Sequence, residues 1–345
     1  MIISTKKYPI HISRGSLDRA GKLISPRGRV FVVTATALRE LGDRVARSFD
    51  PPATILTMDD GESNKTLATA ERLVTELLEH NAKRDSMVVA VGGGVVGDTA
   101  GFAAAIFLRG IDLVQVPTTL LAQVDSAYGG KVGVNHPKGK NLIGAFHPPR
   151  AVVVDPAVLN TLPDRELRSG MFEALKGGVL GDSALFDLFE QKRDDLEQII
   201  ERAVRVKTAI VDSDEREKDL RRLLNYGHTI AHGIEAAMKY EGITHGEAVG
   251  WGMIGANEIA VRRGVLDEKT RGRIDRTIRA YAPAPLPPTI DRDAILAATE
   301  HDKKNTGSTR VMVLPTGIGS CDILEGISEE EIAVGIEAAL RTASG

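Results

Sequence analysis

A single cysteine, Cys321, stands among 345 residues. No intrachain disulfide can form from it, and a cysteine-based zinc cluster is excluded. A reducing, cytoplasmic setting is the simplest expectation. Basic runs are also missing: no stretch of Lys and Arg reaches five residues and the net charge is -3, so the electrostatic footprint of a nucleic-acid binder is absent. Long apolar runs are missing as well. Nothing approaches the ~20 residues of a membrane helix, and the opening MIISTKKYPIHISRG has no apolar core of signal-peptide length. The expectation is a soluble, unprocessed protein with no membrane partner. Any metal it holds must be bound by His, Asp or Glu, and only eight histidines are available.

What is present suggests two cores. At 345 residues and 42% apolar content the chain exceeds the usual single-domain size. Up to about residue 160, short β-branched runs alternate with helical stretches: Arg29–Thr34, Thr54–Thr57, Ser86–Val91, Leu113–Val116 and Ala151–Asp155. Such alternation predicts a parallel α/β sheet. From 161 to 345 the apolar spacing becomes three and four, through 164–210 and 219–263, which predicts a mostly helical second domain. Within it, Ala282–Pro288 reads as a rigid turn, and Thr309–Leu314 with Ile323–Leu324 predicts a small hairpin around Gly317 and Gly319.

The run Ser86–Val91 leads directly into Gly92, Gly93, Gly94, Val95, Val96, Gly97 and Asp98. Glycines after a strand let the backbone approach a pyrophosphate, and the following helix offers unpaired N–H groups and the positive end of its dipole. A tight strand-to-helix turn needs fewer glycines. Gly93, Gly94 and Val95 are therefore candidate nucleotide contacts, although the spacing is not the common G-x-G-x-x-G. The segment Asp60–Lys65 offers a second clasp, for a ribose or a phosphate, or an ordinary D-G turn.

His228 and His232 are four apart, which puts both rings on one helix face, and His245 follows after a turn at Glu241–Gly242. A histidine on a half-buried face is usually a satisfied core residue, but three within 18 residues point to a divalent metal. Glu173 is an acid in an apolar helical context, where charge is expensive unless paired. It is the best carboxylate partner for the three histidines. Residues 117–147 are too rich in Lys, Asn, Gly and Thr for a strand and too ordered in composition for a linker. There Asp125, Lys131, Lys138, Lys140 and Asn141 suit an anionic, hydroxyl-bearing ligand, with a solvated loop as the alternative. Lys207, Arg221, Lys303 and Lys304 add further positive charge and read equally well as exposed helix charges.

The segments GGGVVGDTAGFAAAIFLRG, QVPTTLLAQVDSAYGGKVGVNHPKGKNLIGAF, DEREKDLRRLLNYGHTIAHGIEA, THGEAVGWGM and HDKKNTG together resemble the 3-dehydroquinate synthases. The likeness runs from about Asp60 to Gly317. It implies a Rossmann-like NAD-binding α/β domain, a mostly helical metal- and substrate-binding domain, NAD, one divalent zinc or cobalt, and a homodimer. By matching position it implies Glu173, His228 and His245 as metal ligands, which moves His232 from the metal to proton transfer at the substrate. Substrate contacts would be Asp125, Lys131, Asn141, Lys176, Lys207, Arg221, Asn225 and Lys303, with Arg109 reaching the phosphate in the neighbouring subunit. Glu62, Lys65, Gly94, Asp98, Thr118, Thr119, Lys140 and Thr161 would contact NAD. This chain departs from many relatives at Thr34-Ala35-Thr36, at Val132 and at Gly177; none of these removes a catalytic group.

The implied substrate is a phosphorylated sugar acid, 3-deoxy-D-arabino-heptulosonate 7-phosphate. The implied activity is a lyase reaction of the shikimate pathway leading to aromatic amino acids: transient oxidation, phosphate elimination, re-reduction and intramolecular aldol closure. Other readings are a sister sugar phosphate cyclase of the deoxy-inosose or valiolone type, a metal-dependent alcohol or glycerol dehydrogenase, and an NAD-binding scaffold without chemistry.

Overall fold

The computed structural model describes residues 1–193, 195–214, 220–306 and 310–343, the side chains of 300–306 excepted. The chain divides into two compact units, Met1–Leu162 and Pro163–Gly345.

The first unit contains β1 (Ile2–Ser4), β2 (Pro9–Ile12), α1 (Ala20–Leu23), β3 (Val30–Ala35), α2 (Arg39–Arg47), β4 (Thr54–Met58), α3 (Leu67–Glu79), β5 (Met87–Gly92), α4 (Gly94–Ile106), β6 (Asp112–Pro117), β7 (Lys131–His136), β8 (Gly139–Phe146) and β9 (Ala151–Val154). Seven of these strands form one sheet in the order β1-β2-β9-β6-β5-β3-β4. Only β1 and β2 pair antiparallel in it. β3 and β5 are buried along their whole length. That is the reason their sequences, VFVVTA and MVVAVG, are continuous apolar runs: helices cover both faces of a parallel sheet, and no face is left for polar residues.

The reading of 117–147 as a segment without strands is corrected here. β7 and β8 form an antiparallel hairpin. Its polarity misleads because only one face is covered: Val132 and Val134 are buried in the core shared with α4, while Leu142 and Phe146 are exposed. α4 is built of small residues for the same reason. A Cβ on Gly101 would stand 2.5 Å from Val132 Cγ1, so the hairpin packs directly on the helix backbone.

The second unit contains α5 (Asp164–Gly181), α6 (Ser183–Glu190), α7 (Leu196–Ser213), α8 (His228–Ala237), α9 (His245–Arg262), α10 (Glu268–Ala280), α11 (Arg292–Thr306), the hairpin of β10 (Val311–Gly317) and β11 (Ser320–Glu325), and α12 (Glu329–Ala343). The predicted hairpin is present, with Gly319 at positive φ in its turn; Thr309 lies outside the described residues. α9 is buried on nearly every face, as expected of a helix apolar all round, and packs against α5, α8 and α12. Among the described residues no helix is long and apolar enough to cross a membrane.

α12 is fastened to α9 by a two-point ion pair. Arg263 Nε lies 2.6 Å from Glu331 Oε1 and Nη2 lies 2.9 Å from Oε2. Ser328 and Glu331 also cap the start of α12 reciprocally. Hydrogen bonding to Arg263 leads in holding the Glu331 pKa down at about 2, against an ordinary value of 4.5. The folded value lies below the unfolded one, so this stabilisation is present above about pH 4.5 and is lost as pH falls toward 2. Glu331→Gln should lower stability at neutral pH by about 1 kcal/mol, and the difference should vanish near the acid end of a pH series of denaturant melts.

Candidate active site

In the first unit the strand order reverses between β3 and β5, and ligands of open α/β sheets bind outside the carboxyl ends of strands at such a point. The carboxyl end of β5 is the glycine run. α4 begins at Gly94 with Gly93 as its N-cap, and no side chain caps it. The space is tight: a Cβ on Gly93 would stand 3.0 Å from Thr119 Cγ2, and one on Gly94 3.3 Å from Ser126 Oγ. Thr118, at the end of β6, donates its N–H to Gly92 O. The helix start thus has no side-chain cap, which suits its first N–H groups to an anionic ligand.

Lys65 organises the surroundings of this turn. It is 4% exposed, and its ammonium donates to Asp98 Oδ2 at 2.6 Å and to Asn141 Oδ1 at 2.5 Å. Burial raises the Asp98 pKa and the Lys65 charge opposes that rise. Asn141, at positive φ, donates its N–H to Asn135 Oδ1, and Asn135 Nδ2 donates to Glu62 Oε1 at 2.8 Å. Glu62, Lys65, Asp98 and Asn141 are therefore one connected group. Asn135 links them, and sequence reading passed it over; its position inside the quoted NHPKGKN segment was the available signal. Asp125 lies in the turn Ala122–Ser126 after β6, and Lys131 and Lys140 lie on the β7–β8 hairpin. Thr161 is exposed and bonds to Val158 O. Arg109 is exposed at positive φ beyond the end of α4.

In the second unit, Glu173 and Lys176 stand one turn apart on α5 and are 4% and 3% exposed. Lys176 Nζ sits against Glu173 Oε2. His228 Nε2 lies 3.5 Å and His245 Nε2 3.4 Å from Glu173 Oε1. Among the described residues, Glu173, His228 and His245 form a group whose potential ligand atoms all lie within 4.8 Å of one another. His232 is not in that group, though its ring centroid is 5.5 Å from that of His228 and 6.2 Å from that of His245. Arg221, 2% exposed, and Asn225 lie on the short segment before α8, and Lys207 lies on α7. The side chains of Lys303 and Lys304 lie outside the described residues.

The charges in this cluster fit a cation. Among the described residues, neither of the two buried Glu173 oxygens has a hydrogen-bond partner of good geometry. Burial works against the Glu173 anion, yet the neighbouring Lys176 and histidines hold its pKa well below the usual carboxylate range. Burial lowers the His228 pKa well below its ordinary value, keeping it neutral and able to ligate. Burial also opposes charge on His245, but the carboxylates of Glu173 and Glu235 on either side of its ring outweigh it and push its pKa up to about 10. One carboxylate and two imidazoles are a suitable donor set for a divalent ion with open positions.

Close backbone approach makes this convergence possible. A Cβ on Gly246, the residue after His245, would stand 1.9 Å from Ser169 O on α5, and Gly246 N–H donates to Ser169 Oγ. Gly227 precedes His228 in the left-handed region at φ +80, where a Cβ would also collide with Met253. We expect Gly246→Ala to destabilise the protein by about 3 kcal/mol through overpacking. The exposed-turn control Gly264→Ala, which has positive φ and open space, should cost about 1 kcal/mol. Thermal unfolding of the two variants checks the contrast.

A glycine-bearing nucleotide turn on a parallel sheet and a Glu/His/His centre on a helical unit define a nucleotide- and metal-dependent enzyme class. Similarity to known proteins narrows it. Residues 55–169 match the family model for the 3-dehydroquinate synthase N-terminal domain, and residues 170–305 match the C-terminal one. A 3-dehydroquinate synthase of Solibacter usitatus (strain Ellin6076) is 42% identical over 344 residues, covering 96% of each chain. The structure is similar to that of a 2-epi-5-epi-valiolone synthase from Streptomyces hygroscopicus subsp. jinggangensis 5008 with NAD+ and Zn2+ bound (TM-score 0.88, 29% identity, 99% and 98% coverage). It is also similar to a 2-deoxy-scyllo-inosose synthase complexed with carbaglucose-6-phosphate, NAD+ and Co2+ (TM-score 0.86, 29% identity, 98% and 99% coverage). The chain belongs to the 3-dehydroquinate synthase family.

Proposed function

We propose that this chain converts 3-deoxy-D-arabino-heptulosonate 7-phosphate to 3-dehydroquinate and inorganic phosphate, in the cytoplasm and as a homodimer. In this reading the first unit is the NAD-binding domain and the second the metal and substrate domain. The observation that carries the reading is the buried Glu173 carboxylate facing two imidazole Nε2 atoms, with no hydrogen bond of good geometry among the described residues, within a chain of this family.

Glu173, His228 and His245 would hold the divalent ion, and Gly93, Gly94, Val95, Glu62, Lys65, Asp98, Thr118, Thr119, Lys140 and Thr161 would hold NAD. When bound, the nicotinamide supplies a reversible hydride acceptor for the C5 carbinol and the ion a Lewis acid at its oxygen. The protein's own residues do the rest. Lys131, Asn141 and Lys303 hold the phosphate so that one of its oxygens can take the C6 proton as the C7–O bond breaks, with Arg109 of a neighbouring copy assisting. Asp125, Lys176, Lys207, Arg221 and Asn225 orient the hydroxyls and carboxylate. Lys176 also neutralises Glu173 when the ion is absent, which keeps that buried charge tolerable. His232, beside the ion's ligands but not one of them, relays the proton in ring opening and aldol closure.

The expected outcome is phosphate release from the heptulosonate phosphate with no net accumulation of reduced nicotinamide, abolished by chelation and restored by zinc or cobalt. Accumulation of NADH would indicate a dehydrogenase, and preference for sedoheptulose 7-phosphate a valiolone-type cyclase. His232→Ala should retain the metal at full stoichiometry while losing about 100-fold or more in kcat. His228→Ala should lose the metal.

A further inference from the structure

The site's charged groups extend one residue beyond those with assigned roles. Glu235 is 6% exposed and stands seven residues after His228 on α8, so His228, His232 and Glu235 share one helix face. Its carboxylate faces the opposite side of the His245 ring from Glu173: His245 Nδ1 lies 3.4 Å from both Glu235 Oε1 and Oε2, while His245 Nε2 lies 3.4 Å from Glu173 Oε1. His228 is held differently. Its Nδ1 lies 3.1 Å from the backbone carbonyl of Tyr226, and its Nε2 also faces Glu173 Oε1.

We infer that Glu235 is a positioning residue for the metal centre. It accepts the Nδ1–H of His245, which leaves Nε2, on the ring edge facing Glu173, as the nitrogen available to an ion, and it places a second buried carboxylate behind a ligand. Two features favour this over a packing role. An acid this buried needs a polar reason to be there, and the ring it faces belongs to the most exposed of the three candidate ligands, at 34%, the one that packing holds least. Outer partners of ligating histidines set ring orientation and basicity, and their loss costs roughly 10–100-fold in metal affinity. Tyr226 already serves His228 through a backbone atom that no substitution removes. Glu235 does the same for His245 through a side chain, so His245 is the ligand that mutation can loosen without touching the metal's own contacts.

This inference rests on the proposed metal reading, and the test separates the two. Zinc affinity of the full chain is measured by competition with a chromophoric chelator for the wild type, Glu235→Gln, Glu235→Ala and Glu235→Asp. The cobalt-loaded visible spectrum is recorded for each, beside circular dichroism and thermal unfolding of the metal-free proteins. The expected result is a loss of zinc affinity of roughly 10–100-fold in Glu235→Ala and a smaller loss in the isosteric Glu235→Gln. Glu235→Asp should recover part of the affinity, and the cobalt band should shift in the alanine variant. Variants that bind zinc within twofold of the wild type, or that lose thermal stability with an unchanged chelator midpoint and cobalt spectrum, overturn the role of Glu235 alone. A wild type that binds no metal overturns both readings.

Discussion

The buried Glu173 carboxylate is the constraint around which the helical unit is arranged. An anion removed from water must be met by charge or by polar groups, and Glu173 is met from three sides: by the ammonium of Lys176 on its own helix, by the neutral ring of His228 from α8 and by His245 from α9. Three helices therefore have to arrive at one point. α9 can do so only because it is made of small residues where it meets its neighbours: Gly246 against Ser169, Gly252 against the carbonyl of Gly227 and Gly255 against that of Gly335. A helix with ordinary side chains at those positions would stand off by several ångströms. The electrostatics and the glycine content of α9 are one requirement seen at two levels.

Support for the centre continues outward through polar contacts in the interior. Tyr226, whose carbonyl faces His228, donates its hydroxyl to Asn257, and Asn257 donates to Asp275, which Arg271 meets at 3.1 Å. Burial raises the Asp275 pKa, while Asn257 and Arg271 counter it. A fully connected polar path of this kind specifies one arrangement of α8, α9 and α10, because any slip would leave a buried group unpaired.

Much of this was legible in the sequence where a local requirement dictates a residue type. The continuous apolar runs of β3 and β5 announce a sheet covered on both faces, and the glycines after β5 announce a turn that something must approach closely. Glu173 stood out because an acid among Met171, Phe172, Ala174 and Leu175 needs partners. The histidine spacing placed His228 and His232 on one face, but spacing within a helix says nothing about which ring meets a residue on another helix. Only tertiary arrangement brings His245 to Glu173, with His232 outside that group of converging atoms. The β7–β8 hairpin was missed because its uncovered face carries Lys, Asn and Gly, and the alternation of Val132 and Val134 is too short to outweigh them. Glu235 and Asn135 were missed because each reaches a partner on another element, His245 on α9 and Glu62 before α3, through a contact that residue spacing alone does not encode.

An ammonium group has three N–H bonds, and Lys65 has committed two of them, to Asp98 on α4 and to Asn141 on the hairpin. Its remaining N–H points in one direction only, set by the tetrahedral geometry of nitrogen. A flexible surface lysine would follow a ligand atom wherever it moved; this one acts as a fixed peg, whose bearing is decided before any ligand arrives.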